Sequence, residues 1–196
     1  MMRRGIVPHM LEDPGHRARA PEPLRLVQRF VNTVDIENGV EELDSPTALA
    51  ARLEEIGASD RRLDCGEADL ARALELREGL RHLLLANNGL PASAEDRAAF
   101  VRAARTAHLD VRFDPDGAAR LVAAAPGVDG ALGRIVAVAF TAMADGSWTR
   151  LKACRRDVCH WVYYDRSRNR SSTWCSMLVC GNRMKAQTYR RARRAA

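Results

Sequence analysis

The sequence predicts an α+β fold, in which a mainly helical N-terminal domain with a small β-hairpin precedes a small C-terminal unit. Apolar residues recur at helical spacing over most of the first 145 positions. The charge then changes sign, because residues 1–149 carry 18 Lys and Arg against 23 Asp and Glu, whereas residues 150–196 carry 13 against two. Four of the five cysteines also lie in this basic stretch. These coincident changes predict two units in one chain of 196 residues.

The two units meet near Gly146 in this interpretation. The first unit comprises a flexible leader at residues 1–22 and a mainly helical domain at residues 23–146. The second is the small C-terminal unit at residues 147–196. Prolines and charged residues follow the basic start of the chain at once, so no signal peptide is predicted. The longest apolar stretch is only about half as long as a membrane span. We therefore expect a cytoplasmic protein without a membrane partner.

The first two helices are indicated by apolar spacing and by capping residues. Residues 24–34 place apolar side chains on one helical face, although the β-branched residues near the end also fit a strand. Ser45 and Pro46 are typical of an N-cap and of the first helical position. The second helix is expected to stop at Gly57, because glycine readily ends a helix.

Two further helices follow along the chain. The first is expected to begin at a capping box formed by Asp64 and Glu67, and it carries a wide stripe of leucines. The second is expected to begin at Ser93, a favourable N-cap residue, and to turn Phe100 and Val101 towards the core.

A hairpin and a buried helix complete the N-terminal domain. Residues 109–113 alternate between apolar and polar, residues 114–117 are typical of a turn, and residues 121–125 can form the returning strand. Residues 130–144 are apolar on nearly all sides. This last pattern predicts a helix buried at the centre of the domain.

Two equal cysteine pairs define the C-terminal unit. Four residues separate Cys154 from Cys159, four separate Cys175 from Cys180, and fifteen lie between the pairs. Zn²⁺ prefers four soft ligands in a tetrahedron, and so small a segment cannot bury enough apolar surface to fold alone. Two disulfides or four incidental thiols are the alternatives, and disulfides are disfavoured in a cytoplasmic chain. The spacing therefore predicts one structural Zn²⁺ bound by these four cysteines.

The segments around the cysteines predict how this metal unit is built. Residues 160–165 are expected to form a strand, residues 166–172 a basic loop, and the chain after Cys180 a basic helix. A hairpin with one ligand pair and a helix that starts at the other corresponds to a treble-clef-like or ribbon-like zinc finger. We expect removal of the metal to unfold this unit while the helical domain persists.

The residues around the second cysteine pair closely resemble the CGNR zinc finger. The resemblance covers residues 148–192 and is carried by YDRSRNR at 164–170, WCSM at 174–177 and CGNR at 180–183. In that family the finger usually follows an ABATE domain, whose opening motif resembles FVNTVD at residues 30–35. The resemblance implies a bacterial transcription regulator with DNA as its partner.

Basic residues on the loop and helix are the candidates for nucleic-acid contact. They alternate with aromatic residues on a metal-bound unit, which favours a phosphate-binding surface over a merely solvated face. Arg168 and Arg170 on the loop are expected to reach base edges or a groove. Arg183 either contacts phosphate or hydrogen-bonds the cysteine turns. The full candidate set is Arg166, Arg168, Arg170, Arg183, Lys185, Arg190 and Arg191.

The remaining polar residues leave the role of the N-terminal domain open. Asn32, Thr33 and Asp35 could line a small-molecule pocket or could cap a helix end. No Gly-rich phosphate loop, nucleophile–base pair or open metal triad is evident, so no enzyme is predicted. The favoured hypothesis is a DNA-binding regulator whose first domain senses an effector or forms a homodimer. The alternative is an adaptor whose finger binds RNA or an acidic protein.

Overall fold

The computed structural model describes residues 17–195 and contains six helices and three two-stranded antiparallel sheets in that range. A 3₁₀ turn at Ser147–Arg150 precedes β5, and a π-helical turn at Met177–Gly181 leads into α6. The predicted α+β fold is confirmed. The elements in chain order are α1 (Arg25–Val31), β1 (Val34–Asp35), β2 (Val40–Glu41), α2 (Pro46–Glu55), α3 (Glu67–Ala86), α4 (Ala94–Thr106), β3 (Leu109–Phe113), β4 (Ala119–Ala123), α5 (Gly127–Asp145), β5 (Leu151–Ala153), β6 (Val162–Tyr164) and α6 (Asn182–Ala195).

The predicted caps of α2 and α4 are present. The Ser45 hydroxyl accepts the Ala48 amide at 3.2 Å, and Pro46 opens α2. The Ser93 hydroxyl accepts the Asp96 amide at 3.1 Å, while the Asp96 carboxylate accepts the Ser93 amide at 2.7 Å. Each contact satisfies a backbone donor that the first helical turn leaves without a partner.

The predicted start of α3 and the orientation of Val101 are wrong. Gly66 is the N-cap of α3, and its amide donates to the Asp69 carboxylate at 2.8 Å, so the capping acid lies within the first turn. On α4, the buried Ala99 and the half-buried Phe100 face the core, whereas Val101 is 44% exposed. Each helical step turns by about 100°, so Val101 lies about 200° from Ala99, on the opposite side of α4.

One apolar core runs through the protein and past the predicted boundary at Gly146. Its largest helices are α3 and α5, and α5 packs against α1, α3, α4 and β4. Leu151, Ala153 and Val162 on β5 and β6 are fully buried members of the same core. Gly146 ends α5 with a φ of 79°, a left-handed conformation that glycine adopts readily. The chain therefore turns at Gly146 without leaving the core.

The sequence of α5 also fits a membrane helix by length and composition. It has 19 residues, and within residues 17–195 it is the one helix that meets this criterion. Half of its most apolar window is buried inside the protein. Packing on α1, α3 and α4 gives that apolar surface a partner within the chain.

The predicted flexible leader is ordered where the structure describes it. Residues 1–16 of that leader lie outside the described part of the chain. Arg17 and Ala20 are buried, and the Ala20 amide donates to Gln28 Oε1 at 2.7 Å. The carbonyl of Ala18 accepts the Tyr164 amide at 2.9 Å, beside β6. These two contacts hold the chain at residues 18 and 20, so the flexible leader predicted for residues 1–22 does not reach residue 22.

Candidate metal centre and nucleic-acid interface

The four predicted ligands converge on one point. The sulfur atoms of Cys154, Cys159, Cys175 and Cys180 lie within 4.8 Å of one another, and all four residues are buried. Cys159 Sγ is 3.8 Å from Cys175 Sγ, which is 3.6 Å from Cys180 Sγ. A tetrahedron with Zn–S bonds of about 2.3 Å has sulfur–sulfur edges of about 3.8 Å. The cluster therefore has the dimensions of a site for one Zn²⁺, with four thiolates closing its coordination shell.

Backbone hydrogen bonds hold three of the four cysteines in this cluster. The Cys154 amide donates to the Trp161 carbonyl at 3.0 Å, and the Cys159 amide donates to the Arg156 carbonyl at 2.8 Å, which forms a turn between β5 and β6. The Cys180 amide donates to the Ser176 carbonyl at 3.0 Å within the π-helical turn. One pair thus lies in a hairpin and the other at the start of a helix, as the sequence predicts.

The electrostatics of the cluster favour a bound cation. The hydrogen bond with Cys159, together with burial, raises the pKa of the Cys154 thiol to about 12. Burial also raises the pKa of Cys180, but hydrogen bonds from Cys175 and Cys159 and from the Arg156 guanidinium outweigh it and lower that pKa overall. Four thiolates this close repel one another, and a divalent cation compensates that repulsion. Soft sulfur ligands in a tetrahedron match Zn²⁺.

A buried ion pair fixes the basic loop at 166–172. Lys152 Nζ lies 2.7 Å from Asp165 Oδ2, and the two side chains are 6% and 0% exposed. Lys152 also donates to the carbonyls of Arg170 and Ser172, and the Asp165 carboxylate accepts the amides of Ser167 and Ser172. Burial raises the pKa of Asp165, but the hydrogen bonds from Lys152 and Ser167 outweigh it and lower that pKa overall.

Sequence reasoning missed the Lys152–Asp165 pair, although a signal was available. Asp165 is one of two acids among the last 47 residues, in a stretch with 13 cations. An acid at the end of a predicted strand in so basic a segment is expected to be paired. The sequence does not say with which cation, because Lys152 lies 13 residues away on the other strand.

The loop arginines differ in how they are held. Arg166 Nη2 donates to the Arg19 carbonyl at 3.0 Å, and Arg170 Nη1 contacts Thr149 Oγ1 at 3.3 Å. Arg170 also has a φ of 51°, a left-handed conformation that is uncommon outside glycine. Arg168 is exposed on the same loop. The loop backbone is therefore fixed while its cationic side chains reach solvent.

The cations of α6 occupy more than one face of the helix. Arg183 and Arg190 are seven residues apart and lie on one face, whereas Lys185 lies on the face of Tyr189. Arg191 falls between these faces, and all four basic side chains are exposed. No acid occurs on α6. The helix therefore presents positive charge without an internal counter-charge.

Glu37 is a further residue that the sequence did not single out. It lies on the turn between β1 and β2, and its carboxylate contacts Arg156 at 2.7 Å and also pairs with Arg183. Arg156 in turn lies 4.0 Å from Cys180 Sγ. The hydrogen bond from Arg156 lowers the pKa of Glu37. One acid of the N-terminal domain therefore pairs with two cations next to the metal centre and offsets one of their two charges.

The family is assigned from a match over the N-terminal domain. Residues 24–146 match the ABATE family, described as "putative stress-induced transcription regulator", and this match spans more than half of the chain. The chain belongs to the ABATE family. Residues 150–194 match the CGNR zinc finger, which confirms the predicted resemblance in the same N-to-C order. Neither family is described as an enzyme. No curated protein matches the chain.

The structure gives the predicted pocket residues of the ABATE domain other contacts. Asn32 pairs with the backbone of Val162 in both directions, with Nδ2 donating at 2.9 Å and Oδ1 accepting at 2.8 Å. Thr33 Oγ1 donates to the Phe30 carbonyl, and Asp35 accepts hydrogen bonds from Asn38. Asn32 therefore joins the ABATE domain to β6, while Thr33 and Asp35 stabilise local turns.

A cavity lies elsewhere in the ABATE domain, away from these three residues. It has a volume of about 780 Å³ and lies between α5, β4 and the α2–α3 connection. Arg61 and Arg134 line it together with apolar side chains such as Leu63 and Leu121. None of the three predicted pocket residues lines this cavity.

Proposed function

We propose that this ABATE protein is a DNA-binding transcription regulator whose zinc finger, residues 147–196, contacts the DNA. The observation that carries the proposal is the exposed, acid-free helix α6, which begins at the metal-binding turn. Its main packing partner is that π-helical turn, so most of its surface is open. A positive field from the finger attracts polyanions, and phosphate contacts supply most of the affinity in such interfaces.

The loop and the helix are assigned different roles. Arg166, Arg168 and Arg170 lie on a loop whose backbone is fixed by the Lys152–Asp165 pair, which supports specific contacts to bases. Arg183, Lys185, Arg190 and Arg191 lie on α6 and are assigned to phosphates. The tetrahedral zinc site holds both elements on one rigid centre. In this proposal the metal is structural and takes no part in chemistry.

The ABATE domain is assigned a regulatory role in a cytoplasmic protein. The cavity beside α5 is the proposed effector site. Its lining holds Arg61, Arg120 and Arg134 against one acid, Asp60, which pairs with Arg134, so the remaining positive charge favours a small anionic molecule. Homodimerisation is the second route by which this domain could act, because many regulators bind two DNA half-sites as dimers. Sedimentation with and without DNA would separate the two routes.

Selection from random duplex DNA tests the proposal. The zinc-loaded protein is expected to enrich a shared motif at two salt concentrations.

Arg168→Ala is expected to cost about 1–3 kcal/mol on that motif and much less on random DNA, because base contacts are lost. Arg191→Ala is expected to weaken all duplexes alike and to reduce the salt slope by about 0.9, because one phosphate contact is lost. Recovery in proportion to input, with RNA or an acidic protein bound instead, would support the adaptor hypothesis.

Glu37→Gln is expected to raise DNA affinity several-fold at low salt. The substitution removes the negative charge of the carboxylate that pairs with Arg183 and Arg156. Both cations then become available to phosphates. Glu54→Gln, an exposed change of equal charge on α2, is the matched control. The measurement is titration of a labelled duplex at two salt concentrations. Equal gains for the two variants would show that only net charge matters and would remove Glu37 from the interface.

A further inference from the structure

A second concave surface lies on the finger, along one side of α6. It is a groove of about 440 Å³, which we call the α6 groove. Met184, Lys185, Thr188 and Tyr189 form one wall, because residues at this spacing share one face of a helix. Residues that precede α6 form the other wall. The lining residues are Trp174, Gly181, Met184, Lys185, Thr188 and Tyr189.

The α6 groove offers aromatic surface to solvent. Tyr189 is 64% exposed, and Trp174 is half-buried beside the cysteine cluster. Gly181 carries no side chain, and a Cβ there would lie 2.5 Å from the flexible end of Met177 and 3.5 Å from Trp174 Cδ1. The backbone therefore forms the floor between the two aromatic residues. An exposed tyrosine in a groove offers a flat ring on which a planar group can stack.

The charge around the α6 groove selects an anionic partner. Lys185 lies in the wall itself, and the guanidinium of Arg193 is 6.0 Å from the centre of the Tyr189 ring. No acid occurs on α6. Aromatic side chains that receive bases, next to cations that follow the backbone, are the arrangement by which proteins bind single-stranded nucleic acid.

We propose that the α6 groove binds one unstacked nucleobase against Tyr189 and Trp174, while Lys185 and Arg193 contact the adjoining phosphates. The inference rests on the proposed function, since it specifies the form of DNA that the finger takes. A base in a regular duplex is stacked on both faces and cannot enter the groove. The occupant is therefore a base in a single strand, a bulge or an opened duplex.

Self-association through the α6 groove is disfavoured by charge. Two copies of α6 would bring Lys185, Arg191 and Arg193 of each chain together, and the helix has no acid to pair with them. A peptide with carboxylates and an apolar side chain is the other anionic partner that fits the wall. An apolar side chain of such a peptide has no planar ring of a nucleobase's size to stack on Tyr189 and Trp174, so the nucleobase is the favoured occupant.

Oligonucleotides that contain 2-aminopurine test this inference on the full-length, zinc-loaded protein. Three probes of one sequence are compared: a single strand, a regular duplex, and a duplex with the 2-aminopurine as an unpaired bulge. Stacking on an aromatic ring is expected to lower the probe's emission in the single strand and the bulge but not in the regular duplex. Tyr189→Ala is expected to weaken binding of these two probes about 5- to 150-fold, because one stacking partner is lost.

Two variants serve as controls. Tyr189→Phe keeps the ring and is expected to bind like the unchanged protein. Gln187→Ala changes an exposed residue on the opposite face of α6, two residues from Tyr189, and is also expected to have no effect. Because Tyr189 is exposed, Tyr189→Ala is expected to leave the fold and the zinc content unchanged.

The outcomes separate this inference from the proposed function. If the protein binds the regular duplex as tightly as the bulge and Tyr189→Ala has no effect, the groove inference is overturned while DNA binding stands. If no probe binds, both the inference and the proposed function fail. If an acidic peptide competes and Tyr189→Ala weakens only the peptide, the groove is a protein-docking surface and the inference is overturned.

Discussion

Removing the zinc is expected to unfold the ABATE domain together with the finger, in one cooperative transition. The finger cannot unfold without withdrawing Leu151, Ala153 and Val162 from the shared core, where each is fully buried. Loss of a buried large aliphatic side chain costs about 1.5–3 kcal/mol. The side chains of Gln28 and Asn88 would also lose backbone partners in the finger, at about 1–3 kcal/mol for each buried group.

These losses are comparable with the whole stability of a domain. A typical domain is stable by about 5–15 kcal/mol, so the ABATE domain has little free energy left once the finger is withdrawn. Chelation is therefore expected to abolish most helical circular dichroism at a temperature where the zinc-loaded protein is folded. This expectation replaces the one drawn from sequence, in which the helical domain persists.

A cysteine substitution gives the same test without a chelator. Cys175→Ser is expected to reduce bound zinc and to lower the melting temperature sharply, because one of four thiolates is lost. Cys65→Ser is the matched control, since Cys65 is half-buried and lies outside the metal cluster. A chelated protein that keeps an unchanged helical melting transition would contradict the shared core and restore two independent units.

The parts of this structure that sequence predicted are those encoded by local spacing. The cysteine pairs determine the metal site because each pair occupies one short turn. Ser45 and Ser93 determine helix starts because their partners lie three residues away. Local spacing could still mislead, as at α3, where both Asp64 and Asp69 are plausible capping acids and only Asp69 is used.

The parts that sequence did not predict are contacts between distant residues. Asn32 reaches Val162 across 130 positions, and Glu37 reaches Arg183 across 146. An asparagine after a helix looks the same in sequence whether it caps that helix or pairs with a strand. The interface between the ABATE domain and the finger could therefore not be predicted from sequence. It contains Asn32 and Arg183, for which the sequence indicated a pocket or cap and a phosphate contact.

Arg81→Met is expected to destabilise the protein by about 2–5 kcal/mol, because two carbonyl groups lose a charged donor at about 1–3 kcal/mol each. Arg81 is 1% exposed and joins three elements: it donates to the Glu78 carboxylate at 2.9 Å, to the Val31 carbonyl at 2.6 Å and to the His160 carbonyl at 3.2 Å. Methionine fills similar volume but offers no donor, so the buried Val31 carbonyl and the partly buried His160 carbonyl lose theirs. The Glu78 side chain is 41% exposed and keeps its pair with Arg77.

The effect of Arg81→Met is expected to extend to the finger, since the contact with His160 joins α3 to the segment that follows Cys159. Urea unfolding of the zinc-loaded protein measures the loss, and zinc release as a function of urea reports the finger. Arg97→Met, on the exposed surface of α4, is the matched control and is expected to change stability far less. Equal stability of the two variants would mean that the buried guanidinium contributes no more than a surface one. Loss of stability with unchanged zinc release would show that Arg81 supports the ABATE domain alone.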